Sequence, residues 1–65
     1  MENNFGENLK RIRQEKGVSQ RKLAQMLSID ESNISKWENN KISPQVAWVY
    51  KIAEKLGVNP SAFIT

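Results

Sequence analysis

Glu31, Ser32, Ser35, Lys36 and Asn39 stand at i, i+1, i+4, i+5 and i+8 of one short segment, so a helix there gathers them into a single polar stripe. Side chains of these kinds hydrogen-bond base edges in a DNA major groove: Lys with guanine, Ser with several bases, Glu with the cytosine amino group. An ordinary solvated helix face is equally polar, and the stripe by itself does not separate the two readings. Charge adds weight to the first. Lys10, Arg11, Arg13, Lys16, Arg21 and Lys22 crowd together between positions 10 and 22, within a chain of formal net charge +3 and pI near 9.5. A basic cluster beside such a stripe suits contact with phosphates.

Other chemistries lack their residues. The chain has no cysteine and no histidine, which removes disulfides, thiolate metal sites, the commonest zinc ligand and the usual general base together. The carboxylates form no pocket-like cluster, so no enzyme, no metal and no cofactor is expected. Sixty-five residues, 38% of them apolar, suffice for a single small domain spanning 1–65. No apolar run is long enough to cross a membrane, and the start is unlike a signal peptide, so a cytoplasmic, nucleoid-associated protein is expected. The polar stretch from Met1 to Asn4 is expected to fray.

Five helical segments and no strand fit the periodicity. The first spans about Phe5 to Lys16, with Phe5, Leu9 and Ile12 on one buried stripe, and Gly17 stops it. Ser19 caps the second, whose inner face is Leu23, Ala24 and Leu27. After a break at Ser28-Ile29, Asp30 caps the third, Glu31 favours its dipole, and Ile34 and Trp37 point inward. Ser43-Pro44 reads as cap-then-proline for the fourth, with Val46, Val49, Ile52, Ala53 and Leu56 as its apolar stripe and Gly57 as its end. Asn59-Pro60 repeats that signal for a last turn tucking in Phe63 and Ile64. Trp48 lies off the fourth stripe. It serves either as a half-buried ring at the core's edge or, with Tyr50, Val58 or Ile64, as a contact for a second copy or a partner.

Two short helices separated by a tight break, the second carrying the polar stripe, make a helix-turn-helix pattern. The chain resembles the Cro/cI-type (XRE) helix-turn-helix regulators from about Phe5 to Ile64. The matching pieces are NLKRIRQEKG at 8–17, SQRKLA at 19–24, ISKWEN at 34–39, Pro44, and IAEKLGV at 52–58. The family usually has glycine in the turn where Ser28 stands here, and a left-handed serine costs roughly 1–2 kcal/mol. The resemblance implies a compact, all-α, five-helix lambda-repressor-like fold whose helix-turn-helix is formed by helices two and three.

It also implies roles. Glu31, Ser32, Ser35 and Lys36 read bases, with Ser32 and Lys36 matching the family's base-contacting positions best; Glu31 also serves to charge the helix start and to disfavour wrong sequences. Gln20 binds a phosphate, and Arg21, Lys22, Asn33, Asn39, Asn40 and Lys41 lie near the backbone, together with Ser43 and Gln45. Arg13 and Glu38 form a partly buried ion pair between helices one and three. The expected partner is double-stranded DNA, bound by a homodimer on an inverted repeat, and the expected role is transcriptional regulation, most often repression. No small-molecule ligand is expected in this domain. The competing reading is a protein-interaction module, antitoxin-like or scaffolding, with a patch around Trp48.

Overall fold

The computed structural model describes residues 4–64. Four α-helices follow one another: α1 Phe5–Glu15, α2 Gln20–Leu27, α3 Glu31–Glu38 and α4 Val46–Leu56. A single 3₁₀ turn, Pro60–Phe63, closes the chain and replaces the fifth helix of the sequence reading. No strand occurs among the described residues.

Each of the five elements contributes one fully buried large side chain: Leu9, Leu23, Ile34, Ile52 and Phe63. Because none of these short helices is stable alone, burial of their apolar faces is what makes them form. The largest of the five, Phe63, lies against Phe5 with ring centroids 5.4 Å apart, so the 3₁₀ turn seals the core beside the start of α1. α3 sits between α1 and α2, which leaves only one of its sides to solvent.

The caps are local chemistry. The Ser19 hydroxyl accepts from the Lys22 N–H at 3.0 Å, the Asp30 carboxylate from Ser32 and the Asn59 side chain from Ser61, the latter two at 2.9 Å. Each satisfies an amide that the first helical turn leaves without a partner. Gly17 and Gly57 take the left-handed conformation just after α1 and α4. Ser28 takes it too, with φ of +58°. The turn therefore keeps the glycine-type geometry and the packing of α2 on α3 absorbs the strain. Ser28→Gly should raise unfolding free energy by up to about 1 kcal/mol in urea titration, the left-handed penalty less the extra entropy of unfolded glycine.

Three expectations are corrected. Helix α4 begins at Val46 with Gln45 extended before it, so Ser43-Pro44 is not its cap. Pro44 is instead drawn into the wall of a groove with Trp37 and Trp48, which holds the chain irregular for two more residues. Val46 consequently starts the helix on its outer side and is 68% exposed rather than part of the core stripe. Ile64 follows the 3₁₀ turn outward and is 73% exposed, leaving Phe63 to fill the site. Asn4 stands as the N-cap of α1, its carbonyl accepting from the Asn8 N–H at 2.9 Å. Met1–Asn3 lie outside the described residues.

Candidate nucleic-acid interface

Helix α3 has eight residues, about 12 Å of rise, the length of a short probe. Ile34, Trp37 and Glu38 are buried, and they fix which way the remainder points. Glu31, Ser32, Lys36 and Asn39 are exposed, whereas Ser35 and Asn33 are half-buried at the stripe's edges. Asn39 reaches back along the helix, its Nδ2 donating to Ser35 Oγ at a loose 3.4 Å. Asn33 turns toward the groove lined by Ile29, Trp37, Pro44 and Trp48.

At the helix start, the backbone N–H and hydroxyl of Ser32 hold the Asp30 carboxyl below its ordinary pKa of 3.8; slight burial opposes them and Lys36 assists. A depressed folded-state pKa contributes stability that is present above 3.8 and is lost as pH falls through the lower folded value. The Asp30 carboxyl carbon should therefore titrate in NMR with a midpoint below 3.8; a midpoint at or above it would mean the cap is not formed.

Arg13 and Glu38 meet. The guanidinium grips the carboxylate with two bonds, Nε to Oε2 at 2.6 Å and Nη2 to Oε1 at 3.2 Å, and both side chains are nearly inaccessible. Its third nitrogen, Nη1, donates to the Val18 carbonyl at 2.8 Å, immediately before the α2 cap. Oε1 of Glu38 also accepts from Gln20 Nε2 at 2.9 Å. One carboxylate thus joins α1, the entry to α2, and the last turn of α3. The bond from Gln20 sets the first turn of α2, with exposed Arg21 and Lys22, beside the end of α3, where Asn39, Asn40 and Lys41 are exposed. Among the described residues the ion pairs are this one and the exposed Arg11–Glu15 contact at 3.9 Å, which contributes little.

Two of the named polar residues have structural duties that sequence reasoning missed. Gln20 is bound to Glu38, as above. Asn40, in a left-handed conformation with φ of +58°, turns its Oδ1 to the Gly6 N–H at 3.3 Å. Gly6 itself lets α1 approach the end of α3 closely: a Cβ there would stand 2.5 Å from the Trp37 carbonyl oxygen. No spacing rule signals either contact. Trp48 is half-buried, its ring 5.8 Å from that of Trp37 and capped by the Lys51 ammonium 5.0 Å from its centroid. The more open apolar groups of α4 are Val46 and Tyr50, one turn apart.

An anchored short helix with a polar outer face, preceded by a left-handed turn and a second helix and flanked by exposed cations, is a helix-turn-helix unit. The chain belongs to the helix-turn-helix domain family of XRE type, whose pattern it matches over residues 6–65. It is 35% identical over 60 residues to the HTH-type transcriptional regulator PuuR of Escherichia coli, covering 92% of this chain and 32% of that protein. It is 38% identical over 55 residues to YonR, a prophage-derived uncharacterized HTH-type transcriptional regulator of Bacillus subtilis, covering 85% of this chain and 51% of that one. The chain thus spans about a third to a half of the length of these relatives. Its backbone matches the crystal structure of the restriction-modification controller protein C.AhdI from Aeromonas hydrophila with a TM-score of 0.88, at 27% identity, over 95% of this chain and 94% of that one.

Proposed function

We propose that this domain binds double-stranded DNA sequence-specifically through α3 in the major groove and regulates transcription, as a repressor rather than as an enzyme. The observation that carries the reading is the division of α3: Ile34, Trp37 and Glu38 are locked inside, while Glu31, Ser32 and Lys36 are exposed on the outer side. Ser32 and Lys36, with Glu31 and Ser35 beside them, read base edges. Gln20, Arg21, Lys22, Asn33, Asn39, Asn40 and Lys41 set the register on the phosphates. The names of its relatives, transcriptional regulators and a restriction-modification controller, agree with this role.

A helix this short reads about four or five base pairs, so useful specificity requires two copies on an inverted repeat with centres about 34 Å apart. Exposed Val46 and Tyr50, one turn apart on α4, offer a surface for the second copy, while half-buried Trp48 lies round the helix from them against Trp37. No helix among the described residues is long and apolar enough to cross a membrane, which agrees with a cytoplasmic, nucleoid-associated protein.

The test is exchange of Ser32 and Lys36 for alanine. Each should weaken binding to a preferred duplex by about 1–3 kcal/mol and relax preference at one base pair, with stability unchanged within about 0.5 kcal/mol. Lys41→Ala should weaken all duplexes alike and reduce the salt slope of the logarithm of affinity by about 1. Unaltered duplex binding in the Ser32 and Lys36 variants would instead favour a protein partner.

A further inference from the structure

The carboxylate of Glu38 holds more than its partner in the ion pair needs. Oε2 takes Arg13 Nε, but Oε1 divides between Arg13 Nη2 at 3.2 Å and Gln20 Nε2 at 2.9 Å, and the shorter of these two bonds goes to the glutamine. The carboxylate side chain is 3% exposed, whereas Gln20 is half-exposed. One end of the contact is therefore fixed in the interior and the other reaches the surface at the first turn of α2.

An ionised carboxylate only accepts hydrogen bonds. It therefore decides which way the Gln20 amide faces: nitrogen toward Glu38, because the flipped amide would set a carbonyl oxygen against a negative charge. One amide hydrogen is consumed in this way, and the second remains for another acceptor. Arg13 holds Glu38 in turn, and its Nη1 holds the Val18 carbonyl two residues before Gln20, so donor and orienter are clamped by the same guanidinium. A glutamine side chain left free would have to lose its rotamer freedom on binding; this one is ordered in advance.

We infer that Glu38 is a positioning residue for DNA binding: it presents the free amide hydrogen of Gln20 to a backbone phosphate, and ties that grip to the last turn of α3. The inference rests on the DNA reading above and adds to the ion pair a duty beyond stability.

The experiment is a double-mutant cycle on affinity for one fixed duplex. Gln20→Ala is made in the wild-type chain and in a chain where the pair is replaced by apolar side chains, Arg13→Met with Glu38→Leu, a replacement that keeps the core filled. Gln20→Ala should weaken binding about tenfold in the first background, which is about 1.4 kcal/mol, and less than threefold in the second. An equal loss in both backgrounds overturns the assignment, since Gln20 would then act without Glu38. A readout independent of any substitution is the Gln20 side-chain NH₂ in ¹⁵N relaxation of the free wild-type protein. It should be as ordered as the helix backbone, and free rotation would overturn the proposal. Failure of the DNA reading itself looks different: the wild type then binds no duplex at all, while the amide order is still observed.

Discussion

Glu38→Ala is expected to destabilise the domain by about 3–5 kcal/mol, the cost of leaving a buried charge without its partner. The Arg13 guanidinium would lose two of its three hydrogen-bonded contacts while staying 8% exposed, with only the Val18 carbonyl left to accept from it. Against the roughly 5–15 kcal/mol that holds folded domains together, such a loss would unfold much of a chain this small. Urea titration followed by tryptophan fluorescence reads the effect, since Trp37 adjoins Glu38 and packs near Trp48. Arg13→Ala should be comparably harmful. Replacing both partners together by Met and Leu should come within about 1 kcal/mol of wild type, because no charge is then stranded. A loss below 1 kcal/mol in Glu38→Ala would show that water reaches the pair.

Gly6→Ala should also destabilise, by about 1–3 kcal/mol, the range of overpacked sites. Helix propensity alone has the opposite sign, since alanine within a helix is favoured over glycine by about 1 kcal/mol. Position 6 lies inside α1, but its missing side chain is where the end of α3 passes. An added Cβ would meet the carbonyl oxygens of Trp37 and Glu38 at 2.5 and 2.7 Å and Asn40 Oδ1 at 2.7 Å. Two of these are backbone atoms and cannot swing aside, so α1 must back away from α3 and disturb Phe5 and Leu9 behind it. Thermal melting by circular dichroism should show the drop; a raised melting temperature would mean that propensity outweighs the contact.

These two effects show where sequence reading stops. The caps Ser19, Asp30 and Asn59 were legible because donor and acceptor lie two or three residues apart. The inward positions Leu23, Ile34 and Ile52 were legible from helical spacing. Ser43-Pro44 carries the same local signal as Asn59-Pro60, yet only the second pair caps, because Pro44 is taken up by the groove beside Trp37 and Trp48. That difference is tertiary. The Gly6–Asn40 and Gln20–Glu38 bonds join residues 34 and 18 positions apart, and neither glycine nor glutamine announces such a partner. For the interface, the polar stripe was readable from α3 alone. The half-burial of Ser35 and Asn33, and the binding of Gln20 to the ion pair, depend on how α2 and α3 cross.

Whether α3 reads a DNA sequence is decided by selecting bound duplexes from a random pool at near-physiological salt. A short motif repeated in inverted orientation with half-site centres about 34 Å apart should be enriched, and the enrichment should be lost when Ser32 and Lys36 are replaced by alanine. Retention of duplexes with no enriched motif, through contacts that vanish as salt is raised, would contradict sequence reading by α3.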